Sequence, residues 1–131
     1  MIGLDTNVLV RYIMQDDPAQ SRKATRLIEG LSKDEPGFVP VVVIVELVWV
    51  LSASYRLDRG QLAETLRLLL QSRELVIDRA DIVLQSLRLF TSGTADFADC
   101  LIDRISGSEG CSTTMTFDRL ASKSTGMTLI V

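Results

Sequence analysis

The sequence contains no histidine. That excludes Ser-His-Asp and Cys-His catalysis, a histidine general base and the usual zinc sites. Only two cysteines occur, Cys100 and Cys111, without metal-ligand spacing. They are expected to be small buried thiols rather than a disulfide. Proline (3) and glycine (8) are few and scattered, and no low-complexity tract or internal repeat is present. Disorder and solenoid architectures are therefore not indicated. The longest apolar run, Phe38 to Leu51, is interrupted by Glu46 and is too short for a membrane span. Met1-Ile2-Gly3-Leu4-Asp5 lacks the basic start and apolar stretch of a signal peptide, so the expected address is the cytoplasm.

What remains is a chain of 131 residues, 47% hydrophobic, enough for one domain over 1–131 with its own core. Without histidine, its chemistry must rest on carboxylates, hydroxyls, lysine or arginine. Carboxylates with a hard divalent cation are the natural combination. The net charge is −3. With four of the 17 acids set aside for a site, 14 Lys and Arg face 13 acids. Eleven of those cations are arginine, the side chain suited to bidentate phosphate contact. The balance permits a nucleic-acid partner.

Patterning suggests alternating short strands and helices. Met1 to Leu4 reads as a buried strand ending at Asp5. Asp5 and Thr6 are good caps for a helix over 7–14. Asp16-Asp17-Pro18 signals a second helix, to about Leu31, exposing Arg22, Lys23, Arg26 and Glu29. Phe38-Val39 is a second strand. Residues 41–45 are β-branched throughout, so strand and helix are equally supported there. Leu57-Asp58-Arg59 opens a helix with Leu62, Leu66, Leu69 and Leu70 on its apolar face. Leu75 to Ile77 is a strand, Ala80 to Phe90 a helix ended by Thr91-Ser92-Gly93, and Asp96 to Ile105 a helix closed by Gly107 and Gly110. Cys111 to Thr116 is a strand, a short helical turn follows Asp118, and Met127 to Val131 is the last strand. Such alternation implies an α/β fold with a parallel sheet covered on both faces. In open sheets of this kind ligands sit beyond the carboxyl ends of the strands, where Asp5 and Asp118 both fall.

Several acids stand out. Glu46 is the only charged residue between Glu35 and Arg56. An unpaired buried carboxylate is costly, and a metal site would account for its isolation as a salt bridge or an exposed helix position also would. Asp96, Asp99 and Asp103 share one helix face by their spacing, where like charges repel and a counterion would relieve them. Two of them also suit the helix N-terminus. Asp5 and Asp118 could each be an ordinary cap. Gathered together, these acids would hold Mg²⁺ or Mn²⁺ for phosphodiester hydrolysis, and without metal some of them should have raised pKa values.

The same residues resemble those of a known family. Ile2-Gly3-Leu4-Asp5-Thr6-Asn7-Val8-Leu9-Val10-Arg11-Tyr12 resembles the first acidic motif of the PIN-domain ribonucleases. Val45-Glu46-Leu47-Val48-Trp49-Val50-Leu51 resembles the second, Asp96-Phe97-Ala98-Asp99-Cys100-Leu101-Ile102 the third, and Thr116-Phe117-Asp118-Arg119 the fourth. The likeness spans essentially the full length and is nearest to VapC-type toxins of toxin–antitoxin pairs. It implies a three-layer α/β/α sandwich with a central parallel sheet of four or five strands, and a helix at 41–45. It implies Asp5 and Asp99 as principal Mg²⁺ ligands, with Glu46 and Asp118 completing a four-carboxylate catalytic centre. Thr6 and Asn7 would support Asp5, with Asp96 and Thr116 as further supporting residues. RNA would be the substrate, although the metal chemistry alone would serve DNA equally. A homodimer and a cognate antitoxin that blocks the acidic pocket are implied as partners. The competing readings are a non-catalytic PIN-like module that binds RNA or protein, and a phosphatase with Asp5 as nucleophile. Against the second, the expected Asp two residues on is Asn7.

Overall fold

In a computed structural model, all residues from Met1 to Val131 are described. The chain forms two compact units, residues 1–78 and 79–131.

The first unit contains β1 (Ile2–Gly3), α1 (Thr6–Met14), α2 (Pro18–Glu29), β2 (Gly37–Val39), α3 (Val41–Ala53), α4 (Arg59–Gln71) and β3 (Leu75–Ile77). Its three strands form a parallel sheet in the order β1-β2-β3. Ile2 is opposite Gly37, and Val39 opposite Ile77. Gly37 sits in a close-packed spot, where a Cβ would lie 2.8 Å from Leu4 Cδ1 and 2.9 Å from Leu31 Cδ1, so a larger residue would require those leucine side chains to shift. The predicted caps act as such. Asp17 accepts from Gln20 N, and Asp58 forms a reciprocal capping box with Gln61. An exposed cluster joins α1 to the end of α3: Arg11 Nη1 donates to Tyr55 Oη at 3.1 Å, and Tyr55 donates to Asp16 Oδ2 at 2.6 Å. That tyrosine hydroxyl is the main reason the Asp16 carboxyl lies below its ordinary value.

Residues 41–45 are helical. Three factors override their strand propensity. Pro40 occupies the N-cap position, and Asp78, just past β3, accepts from Val41 N at 3.0 Å, replacing the side-chain cap that proline cannot provide. The helix also buries Val43, Ile44, Leu47, Val48 and Leu51, and this tertiary burial outweighs local preference. The ladder of β2 ends at Val39, so no strand is left to continue.

The second unit contains α5 (Ala80–Ser92), α6 (Phe97–Ser108), β4 (Met115–Thr116), α7 (Arg119–Ser124) and β5 (Thr128–Leu129). Its two strands pair in parallel, Met115 with Thr128 and Thr116 with Leu129. Phe90 meets Phe97 edge-on, with ring centroids 5.8 Å apart, locking α5 to α6. The chain thus has the expected α/β character with parallel strands, but the expected central sheet of four or five strands is not formed: the larger sheet has three strands, and β4 and β5 pair in a separate two-stranded sheet because their ladder is formed only with each other.

Four expectations need correction in this unit. Helix α6 passes through Gly107 and ends at Ser108. The stop is Gly110, whose φ of +91° favours glycine. The strand expected from Cys111 is only Met115–Thr116, because Cys111 N is already bonded to Ser106 O at the helix end. The last strand likewise shrinks to Thr128–Leu129. Cys100 is buried as expected, but Cys111 is exposed.

Candidate functional site

Within the first unit, Asp5 and Glu46 are joined through one residue. Asp5 follows β1 at its carboxyl end and caps α1. Its Oδ1 accepts from Thr6 N at 2.7 Å. Thr6 is buried, and its hydroxyl donates to Glu46 Oε1 at 2.8 Å. The backbone of Thr6 therefore fixes one acid and its side chain the other, across 40 residues of sequence. Thr6 was expected to support Asp5 and does so through its backbone N–H, while its hydroxyl also supports Glu46. Asn7 is exposed. Glu46 stands on the outward side of α3, opposite the buried row from Val43 to Leu51, and is itself exposed. Isolation of this charge in the sequence thus reflects a solvent-facing position rather than burial.

Within the second unit, Asp96, Asp99 and Asp118 interact. Asp99 lies in the first turn of α6 and is half-buried. Its carboxyl is pushed above the ordinary value by burial first, then by the negative charges of Asp118 and Asp96. Asp96 is the N-cap residue of α6, but its side chain makes no capping bond. Asp118 caps α7, accepting from Ala121 N at 3.1 Å through Oδ1. Thr116 supports it from β4, its hydroxyl accepting from Asp118 N at 3.0 Å. Asp103, expected on the same face as Asp96 and Asp99, does not join them. It is buried and paired with Arg104, and it faces Gly126, where a Cβ would lie 3.0 Å from Asp103 Oδ1. The spacing was right for a straight helix face, but the arginine next to it neutralises this third acid.

A common pattern links the acids. Asp5, Glu46 and Asp118 each have one carboxylate oxygen held by a protein donor, which leaves the second open. None of Asp5, Glu46, Asp96, Asp99 or Asp118 belongs to any of the five ion pairs. Held oxygen donors outside any ion pair suit a hard divalent cation. No three acidic side chains stand close enough to one another to ligate an ion together. Mg²⁺ does not demand that, since it is commonly held by one or two carboxylates and keeps several waters. The donor set therefore fits Mg²⁺ or Mn²⁺ better than zinc, for which the nitrogen and sulfur ligands are missing. No helix is long and apolar enough to cross a membrane.

Comparison with known proteins places these residues in a family context. The PIN domain family model matches residues 2–123. A VapC ribonuclease from Aquifex aeolicus (strain VF5) is 28% identical over 99 residues, covering 75% of this chain and 73% of the relative.

Proposed function

The chain belongs to the PIN-domain family, and from that premise we propose that it is a Mg²⁺- or Mn²⁺-dependent endoribonuclease. Residues 1–131 are read as a single PIN domain, with Asp5, Glu46, Asp99 and Asp118 as its catalytic and metal-binding residues. The observation that carries this reading is Asp99. Its carboxyl is raised by burial and by Asp118 and Asp96, and it belongs to no ion pair. Such crowding destabilises the free protein and is relieved by a bound cation, so it marks functional sites more often than structural ones.

The roles follow from the bonds. Asp5 and Asp99 are the principal ligands, with Asp5 Oδ2 open while Oδ1 is held by Thr6 N. Glu46 and Asp118 complete the centre directly or through water, each oriented by its one fixed oxygen. Thr6 keeps Glu46 in place, Thr116 keeps Asp118 in place, and Asp96 adds negative charge beside Asp99. Asn7 is exposed next to Thr6 and remains a supporting residue in this reading. A bound divalent ion supplies positive charge for an in-line phosphodiester displacement and makes water a competent nucleophile at neutral pH. Arginine, which dominates the cations of this chain, suits contact with the flanking phosphates.

Likeness to a VapC ribonuclease supports RNA as the substrate and toxin status within a toxin–antitoxin pair. On the same ground the partners are a cognate antitoxin and a second copy of this chain, and the compartment is the cytoplasm. The deciding experiment is cleavage of total RNA by the purified protein, with metal and with chelator, comparing wild type with Asp5→Asn. Cleavage should require Mg²⁺ or Mn²⁺ and vanish in Asp5→Asn. Cleavage that persists in EDTA would reject the mechanism.

A further inference from the structure

Helices α1 and α2 of the first unit hold a cavity of about 260 Å³ between them. Asn7 and Arg11 line it from α1, and Gln20, Lys23 and Leu27 from α2. The lining follows from helix spacing, i and i+4 on α1, then i, i+3 and i+7 on α2. Asn7 is in the first turn of α1, two positions after Asp5. The cavity therefore abuts the helix end that Asp5 caps. No acidic side chain lines it.

Its two cations are not equivalent. Arg11 is tied to the protein: Nε donates to Gln20 Oε1 at 2.8 Å, and Nη1 donates to Asp16 Oδ1 and to Tyr55 Oη, each at 3.1 Å. With Gln20 Oε1 taken, the amide nitrogen of Gln20 is left as a donor. Lys23 is exposed and belongs to none of the five ion pairs. The two acids just before α2 are engaged elsewhere. Asp16 accepts from Arg11 and Tyr55, and Asp17 caps α2 by accepting from Gln20 N. The cavity thus offers a free ammonium with the amides of Gln20 and Asn7, the complement of an oxyanion.

From this set we infer that Lys23 binds a backbone phosphate of the substrate next to the scissile bond, assisted by the amide of Gln20, which Arg11 holds in place. The inference rests on the nuclease reading and names a substrate contact for it. A backbone phosphate carries its charge whatever the base, so this contact positions the strand without selecting sequence. Arg22 and Arg26 are also exposed on α2 and outside the ion pairs, and Glu29 is the only acid of that helix. They extend the positive surface in a chain whose net charge is −3. A second copy is the wrong partner for it, because a two-fold contact sets a patch against itself and brings these cations toward their own equivalents.

The test is the salt dependence of cleavage. KM and kcat of the full-length protein are measured with one oligoribonucleotide at fixed Mg²⁺, from about 50 to 200 mM KCl. Loss of one phosphate contact lowers the slope of log KM against log salt by about 0.7–0.9. Lys23→Ala should raise KM about tenfold at the lowest salt with kcat little changed, and the gap to wild type should narrow about threefold at the highest. Lys23→Arg should restore both KM and slope, which a merely structural role would not move. Lys33→Ala should match the wild type, because Lys33 precedes β2 and lies at the amino ends of the strands, away from Asp5. Binding of the same oligoribonucleotide, fluorescently labelled, is followed in parallel by anisotropy in Ca²⁺. Wild-type cleavage with KM and salt slope unchanged in Lys23→Ala overturns the inference and leaves the nuclease reading standing. Binding without cleavage, with a salt slope that falls in Lys23→Ala, upholds the inference and defeats the nuclease reading. Neither binding nor cleavage defeats both. Inorganic phosphate that inhibits the wild type but not Lys23→Ala, while both share one salt slope for RNA, assigns the cavity to a free anion and overturns the inference.

Discussion

The acids of the two units are held in opposite ways. In the first unit, Asp5 and Glu46 are both bound by Thr6, through its backbone N–H and its hydroxyl. Each gains a donor, and each is placed by a short, partly buried link. In the second unit, Asp99 has no such donor. It is surrounded by Asp96 and Asp118, and its carboxyl is raised in consequence. The first pair is an oriented arrangement that needs no ion to be stable. The second group is a repulsive arrangement that gains from one.

That comparison is broken most severely by removing one acid from each side. Asp5→Asn and Asp99→Asn should each lower kcat/KM for RNA cleavage by about 10³-fold or more, because groups that act as a unit fail together. The double variant should be scarcely worse than either single one. Additive losses would mean that the two sets of acids act independently. Both variants should still unfold cooperatively in urea, since Asp5 and Asp99 take no part in the core.

The next largest effect concerns the scaffold. Leu47 is fully buried on α3, directly beside Glu46 in sequence. Leu47→Ala should cost about 2–5 kcal/mol of stability, measured by urea denaturation, through lost burial and the cavity left behind. Glu46→Gln, on the outward face, should cost far less. If the two cost the same, Glu46 is a structural residue and the assignment of α3's two faces is wrong.

A smaller effect tests the link itself. Thr6→Val keeps the shape of the side chain and removes the hydroxyl that donates to Glu46. Activity should fall roughly 10- to 100-fold, the usual size for loss of a residue that orients a ligand. Thr6→Ser should retain most activity because it keeps the donor. Equal losses in both would point to packing rather than to the hydrogen bond.

Much of this arrangement could be read from the sequence, and the exceptions are informative. Capping signals at Asp5, Asp17 and Asp58 act over a few residues, so local chemistry was sufficient to find them. The run at 41–45 was undecidable from residues alone, because its helical state depends on Asp78, a cap supplied from 37 positions away. Asp103 was misjudged for a different reason. Its spacing matched Asp96 and Asp99, but its fate was decided by pairing with Arg104 and by burial against Gly126. The strand expected from Cys111 failed because the preceding helix had already taken that backbone donor. In each case the missing information was a tertiary partner, which periodicity does not carry.

The smallest predicted effect separates the two groups most cleanly, because it concerns stability in the absence of metal. The folded-state carboxyl of Asp99 lies above its ordinary value. Its protonated form is therefore favoured by folding. That contribution is fully present below the ordinary carboxylate range and is lost as pH rises through the raised value. At neutral pH in EDTA, ionised Asp99 weakens the fold. Asp99→Asn removes this burden and should raise Tm on the order of 2 °C at neutral pH, a modest shift because the group is partly in contact with water. Below the carboxylate range the variant should melt with the wild type, so the gap between them must open with rising pH. Asp5→Asn, by contrast, weakens a capping acceptor for Thr6 N and should lower Tm or leave it unchanged. Adding Mg²⁺ should stabilise the wild type and close the gap to Asp99→Asn, since an ion that binds only the folded state shifts the equilibrium by mass action. A Tm for Asp99→Asn that falls at neutral pH in EDTA would show that this carboxylate is a structural partner rather than a strained ligand, and the contrast between the two units would disappear.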